Sequence, residues 1–150
     1  MRIALFEPEI AGNVGAVMRL GACMGAGIDL IEPLGFPWDD KRVRRAAMDY
    51  IDHVEVVRHS SFEAFREARQ ASRLVLFTTR ATQSSYAFDY RADDILLFGK
   101  ESAGVTDDVR ASVDASVRLP MRPQVRSLNL ATSAAIALTE ALRQTGTLPA

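Results

Sequence analysis

Ile95-Leu-Leu-Phe-Gly-Lys-Glu-Ser-Ala-Gly104 is an apolar strand pattern that runs directly into a loop bracketed by glycines. Open α/β sheets build small-molecule sites where strands give way to such loops. A dinucleotide-binding domain carries its Gly-rich turn after the first strand. Here the turn lies in the last third of the chain, so the order of parts is inverted. Two further stretches place glycines or small polar residues at element boundaries: Asn13-Val-Gly-Ala-Val-Met-Arg19 near the start, and Arg126-Ser-Leu-Asn-Leu130 near the end.

Working outward, short runs rich in Val, Ile, Leu and Phe predict strands over Arg2–Phe6, Ile28–Ile31, Val54–Val57, Leu74–Thr78, Ile95–Phe98 and Ser116–Leu119. Runs this continuous suit a parallel sheet covered on both faces. Helical patterns fall between them, at about Asn13–Met24, Asp39–Met48, Ser61–Gln70 and Thr106–Ser112, with a final one from Leu130 to Gln144. The alternation predicts an α/β fold, a mostly parallel sheet with helices on both faces. No repeat, linker or low-complexity tract divides it, so residues 1–150 read as a single domain.

Composition narrows the function classes. Of 150 residues, 48% are hydrophobic and 25% charged, ordinary values for a folded domain large enough to bury a core. No apolar run approaches the roughly 20 residues of a membrane span, and Ile3–Phe6 is too short for a signal-peptide core. The single Cys23 excludes an internal disulfide and makes a cytoplasmic location the expectation. Net charge is −1, so any nucleic-acid binding must come from a local patch.

Asn13 suits an N-cap, and Gly15 shares a helix face with Arg19, clearing space beside the guanidinium. By spacing alone, the plain reading of a capped helix with a surface arginine is preferred. A dinucleotide reading would use Gly12, Gly15 and the later Glu32, but the full G-x-G-x-x-G is absent and Pro8-Glu9 crowds a pyrophosphate. Gly99 and Gly104 let the backbone turn and approach a flat ligand. A P-loop label fails because its required first glycine is Asp94. Glu101 is a candidate ligand or catalytic group, with loop ordering the preferred role. Pro120 and Pro123 stiffen the next loop, after which Ser127 and Asn129 can cap the last helix and touch a ligand.

Lys41, Arg42, Arg44 and Arg45, flanked by Trp38 and Tyr50, form the best candidate for phosphate contacts, and Arg122 and Arg126 could join them. His53 and His59 lack companions at ligand spacing, so no metal is expected. No G-x-S-x-G or Cys/His signature points to a hydrolase.

In order, N-x-G-x-x-x-R, F-G-x-E-x-x-G and P-M-x-P-x-x-R-S-L-N-L resemble the three motifs of the SPOUT-class RNA 2′-O-methyltransferases, over essentially the whole chain. Glu7–Ile10 and Ile31–Ala46 look most like the small stand-alone tRNA enzymes that methylate the wobble ribose. The resemblance implies a C-terminal trefoil knot, an exception to the unknotted rule. It implies S-adenosyl-L-methionine held through Phe77, Gly99, Glu101, Gly104, Leu119 and Ser127. It further implies a homodimer in which Arg19 reaches the partner's cofactor site, with Ser127 and Asn129 completing the catalytic set. The expected substrate is the cytidine or modified uridine at the wobble position of tRNA, a leucine tRNA foremost. Methylation of another tRNA or rRNA site, and a non-catalytic RNA-binding dimer, are the alternatives. One departure stands out: relatives can carry a tyrosine near Thr139, and here no tyrosine follows Tyr90.

Overall fold

The computed structural model covers residues 1–150 and contains six strands and five α-helices. The strands are β1 (Arg2–Phe6), β2 (Gly27–Ile31), β3 (Val56–His59), β4 (Leu74–Phe77), β5 (Ile95–Phe98) and β6 (Ala115–Val117). The helices are α1 (Ala11–Met24), α2 (Asp40–Ala47), α3 (Phe62–Ala68), α4 (Asp107–Ser112) and α5 (Leu130–Thr145). Short 3-10 turns at Met48–His53 and Ser85–Ala87 complete the set.

All pairings are parallel, in the order β3-β2-β1-β5-β4-β6. Alternation along each strand divides the core. Ile3, Leu5, Val75, Phe77, Leu96 and Phe98 face the side covered by α1, α2 and α5. Ala4, Phe6, Leu74, Leu76, Ile95 and Leu97 face Phe65 of α3 and Val109 of α4. Burial on both faces explains why the central strands read as unbroken apolar runs. The order reverses between β1 and β5, and loops at that reversal form the crevice typical of open α/β sheets.

The connection after β4 encloses β6. Thr78 N–H donates to Val117 C=O at 2.9 Å, on the β4 side. On the other side, Arg118 N–H donates to Gln83 C=O and Ser85 N–H to Arg118 C=O, each at 2.9 Å. Both flanks belong to one continuous stretch that then returns as β5. The β4–β5 connection therefore flanks the end of β6 on both sides, and the chain goes on to α5, which packs on α1 and β5.

Three local expectations are corrected. Asn13 is not the N-cap of α1: Ile10 holds that position, and Asn13 lies inside the helix, buried. Gly15 makes room for α2 instead of for Arg19, since a Cβ there would lie 2.2 Å from the Ala46 Cβ. The third strand begins at Val56, because residues 48–53 form a 3-10 turn after α2. No helix is long and apolar enough to cross a membrane.

Asp29 on β2 is 0% exposed and receives Arg2 Nε at 2.6 Å, Arg69 Nη2 at 2.9 Å and a contact from His59 Nε2 at 2.8 Å. Burial pushes its carboxyl pKa up, but hydrogen bonds from Arg2, Arg69 and His59 outweigh this and hold it below the ordinary value. A depressed folded-state pKa stabilises above the unfolded value of about 3.9 and loses that stabilisation as pH falls through the folded pKa. Asp29→Asn should cost about 3 kcal/mol at neutral pH in urea unfolding, by leaving Arg69 without its anion and Arg2 with Glu55 alone. The gap to the unsubstituted protein should hold down to about pH 5 and shrink below about pH 4. A gap that stays constant to the acid limit would show that the ionised carboxylate is not its source.

Candidate active site

The loops following β4 and β5 and the start of α5 enclose a cavity of about 430 Å³. Phe77 and Phe98, at the strand ends, stack with centroids 4.9 Å apart and give the cavity an aromatic wall. Tyr90 lies behind, parallel to Phe77 at 6.5 Å, and its burial drives its hydroxyl pKa far up. Leu119, Met121 and Leu128 line an adjoining recess of about 80 Å³ with the same two phenylalanines.

The Gly99–Gly104 loop closes on itself. Lys100 N–H donates to Gly104 C=O at 3.1 Å, and Gly104 N–H donates back at 2.9 Å. A Cβ on Gly99 would sit 2.4 Å from the Gly104 carbonyl carbon, while Gly104 has φ +69°, the left-handed region. Close approach demands the first glycine and backbone conformation the second.

Glu101 joins the loops. Its carboxylate accepts from Glu9 N–H at 2.8 Å, Ile10 N–H at 3.3 Å and Asn13 Nδ2 at 3.1 Å. Asn13 Oδ1 accepts from Asn129 Nδ2 at 3.0 Å. Asn129 Oδ1 then caps α5, accepting from Ala131 and Thr132 N–H at 2.9 and 3.2 Å. A carboxylate only accepts, so Asn13 must turn its amide nitrogen to Glu101, and the orientation of both asparagines follows. Lys100 Nζ lies 3.2 Å from Glu7 Oε2, and Ser102 Oγ 2.5 Å from Glu9 Oε1. The Ser102 hydroxyl and N–H hold the Glu9 carboxyl below its ordinary pKa.

The structure thus brings Phe77, Gly99, Glu101, Gly104, Ser127 and Asn129 to one cavity, with Leu119 in the recess. Capping of α5 falls to Asn129 alone; Ser127 is free to face the cavity. Asn13 as a buried bridge, the clips through Glu7, Glu9, Lys100 and Ser102, and the lining by Thr78 and Thr79 were outside the sequence reading. The N and E of the motifs signalled Asn13 and Glu101, but not that they bond each other.

Arg19 does not line this cavity. It is exposed on α1, its guanidinium 5.2 Å from the Tyr50 ring centroid, in line with exposed Gly12, Ala16 and Cys23. Lys41, Arg42, Arg44 and Arg45 are exposed on both sides of buried Val43, and only Arg44 has an ion-pair partner, Asp52 at 3.9 Å. Arg122 and Arg126 are exposed in a loop whose backbone, over residues 119–128, makes one internal hydrogen bond, Val125 N–H to Arg122 C=O at 3.2 Å. Thr139 donates its hydroxyl to Ala135 C=O at 2.7 Å, so that position on α5 presents no free polar group in place of a phenol.

Residues 1–139 match the SpoU rRNA methylase family. The chain belongs to that family. This SpoU methylase is 52% identical over 148 residues to a Beijerinckia indica protein named tRNA (cytidine(34)-2′-O)-methyltransferase, with 97% of this chain and 92% of the relative covered. An Escherichia coli K12 protein of the same name is 41% identical, with 97% and 94% covered. A solved structure concerning "the 2-OH methylation of C/U34 on tRNA" superposes with TM-score 0.91 at 41% identity, covering 95% of this chain and 94% of that one. A Streptomyces viridochromogenes SpoU methyltransferase in complex with AdoMet gives 0.85 at 29% identity, covering 96% of this chain and 57% of its own.

Glu101→Gln replaces an acceptor-only group by an amide whose NH2 must face at least one N–H donor. In this SpoU methylase it should lower stability by about 2 kcal/mol and speed amide exchange at residues 9–14. Thermal unfolding and hydrogen exchange check both; unchanged exchange there would remove Glu101 from its ordering role.

Proposed function

We propose that this chain transfers a methyl group from S-adenosyl-L-methionine to the ribose 2′-oxygen of the wobble nucleotide, position 34, of tRNA. The observation that carries the reading is the meeting of three distant motifs at one cavity through the Glu101–Asn13–Asn129 relay. Full-length relatives with that substrate in their names support it.

The cavity fits the cofactor. Its volume of about 430 Å³ lies in the range of small-molecule sites, roughly 300–1,000 Å³. The recess by Leu119 and Leu128 suits a flat base, and the largely unpaired backbone of residues 119–128 has donors and acceptors left for its edge. Gly99 and Gly104 keep the opposite wall free of side chains, and Phe77 supplies the aromatic surface. Glu101 acts through the loop it orders. When bound, the cofactor supplies an electrophilic methyl on a sulfonium.

The chain's residues must then align the ribose hydroxyl and help it lose a proton. A guanidinium, with pKa above about 12, resists acting as base. Arg19 from a second copy grips the phosphate beside the target and stabilises negative charge developing on the 2′-oxygen. Asn129 has one amide N–H left after its two structural tasks, and Ser127 a free hydroxyl; these orient cofactor and ribose. Lys41, Arg42, Arg44, Arg45, Arg122 and Arg126 bind RNA phosphates, which makes affinity fall with salt. The domain acts as a homodimer, in the cytoplasm where tRNA resides, with a leucine tRNA as the first substrate to try.

Methyl transfer from labelled cofactor to tRNA transcripts that differ only at the wobble nucleotide tests the substrate. Label should follow the wobble nucleotide; label indifferent to it would redirect the activity to another RNA site. Sharing of the site between subunits is tested by mixing two inactive variants, Arg19→Ala and Asn129→Ala, under conditions of subunit exchange. Random pairing should restore about a quarter of the unsubstituted rate if Arg19 serves the partner's cavity. No recovery above the separate variants, with exchange verified, would place Arg19 in its own chain's site.

A further inference from the structure

Trp38, Arg58 and Glu32 form a second, smaller site on the same edge of the sheet. Glu32 follows β2, Ser60 follows β3, and the intervening loop with Leu34, Phe36 and Trp38 closes a hollow of about 390 Å³. Arg58 stacks its guanidinium over the indole, 4.6 Å from the centroid, and pairs with the Glu32 carboxylate. Trp38 Nε1 donates to Asp40 Oδ1 at 2.7 Å, which fixes the ring. Neither charged partner is hidden: the Arg58 and Glu32 side chains keep 41% and 29% exposure. The ion pair is therefore open to a ligand edge, and its flat guanidinium to a ligand face.

The hollow borders the cofactor cavity through the backbone. Gly35 N–H donates to Pro8 C=O at 2.9 Å, and a Cβ on Gly35 would lie 2.8 Å from the Glu9 Cα. Glu9 and Ile10 are in turn held by Glu101, which lines the cavity. On the other side, Trp38 leads within three residues into the exposed cations of α2.

We propose that this hollow takes one unpaired nucleobase of the tRNA loop next to the methylated nucleotide, stacked on the Trp38–Arg58 pair with its amino-bearing edge at Glu32. Single-stranded RNA is read by bases splayed onto aromatic rings or guanidinium planes, with hydrogen bonds to their edges. The carboxylate accepts from an exocyclic amine, which adenine, cytosine and guanine carry and uracil lacks, so an amino-bearing base is preferred. The neighbouring basic helix holds the phosphates. The inference rests on the tRNA reading above and adds a base-specific contact outside the reacting nucleotide.

Trp38 is the only tryptophan in the chain, so its fluorescence reports on the hollow directly. An RNA stem-loop with the tRNA anticodon sequence should change that fluorescence on binding. One abasic substitution in the loop, away from the methylated nucleotide, should abolish the change and raise Kd roughly tenfold, as loss of one stacked base does. Trp38→Leu should raise Kd by the same factor with the intact loop and add nothing with the abasic one. Trp38→Phe should bind within about twofold of the unsubstituted protein. S-adenosyl-L-methionine affinity serves as the check that each variant is folded. Uridine at the identified position keeps the stacking and should weaken binding less than the abasic site does, and Glu32→Gln should remove that discrimination. Methylation at the wobble nucleotide with no loop position coupled to Trp38 would overturn this site and leave the proposed activity standing. A stem-loop and a full tRNA that are neither bound nor methylated would overturn both.

Discussion

A carboxylate can accept hydrogen bonds but not donate them, and the Glu101 carboxylate puts that asymmetry between three segments of the chain. Its acceptors are filled by Glu9 N–H, Ile10 N–H and the Asn13 amide. Because Asn13 must present nitrogen to it, Asn13 presents oxygen to Asn129, and Asn129 presents oxygen to the open amides of α5. Each step fixes the next. The first residues of α1, the glycine loop after β5 and the start of α5 are thereby locked in register across a cavity. Reversal of either amide would leave two like atoms facing each other, so the network has one satisfied arrangement.

That network sits on a rigid base and faces a loose rim. The base is β4 and β5, four buried residues each, hydrogen-bonded in register and covered on both faces. The rim is residues 119–128, with one internal backbone hydrogen bond and nearly every residue exposed. The β4–β5 connection ties rim to base: Arg118, leaving β6, is clamped by Gln83 and Ser85 before the chain reaches the cavity. A ligand that engages free backbone groups there gains partners that water otherwise supplies.

The central strands were legible because burial on both faces leaves no polar position to interrupt the pattern. The edge strand β3 was read two residues early, since its half-exposed residues Val56, Val57 and Arg58 carry a weaker signal and a 3-10 turn precedes it. Asn13 was misread as a cap because the same side chain serves a cap or a buried bridge, and only the distant Glu101 and Asn129 distinguish the two. Gly15 looked like space beside its i+4 neighbour, yet its contact is Ala46, a residue on another helix. A knot belongs to the path of the chain, and no local pattern encodes one; that expectation rests on the resemblance of ordered motifs alone. The residues of the cavity were legible as a set, while their bonding to one another was not.

Electrostatics underlies the proposal that the site is shared between two chains. Attack of a ribose hydroxyl on a sulfonium methyl puts negative charge on the oxygen as its proton leaves, and a cation beside that oxygen lowers the barrier. Among the residues lining the cavity, Lys100 is the single base, and it lies 3.2 Å from Glu7. Its charge is already matched within the loop it clips, so the oxygen gains little from it. The cation of the first motif, Arg19, stands on the exposed face of α1 beside Gly12 and Ala16, whose small size permits close approach of another surface. In the proposed homodimer a second copy seated there would carry its guanidinium to the cavity, and the face that looks like an ordinary helix surface in one chain would supply the charge.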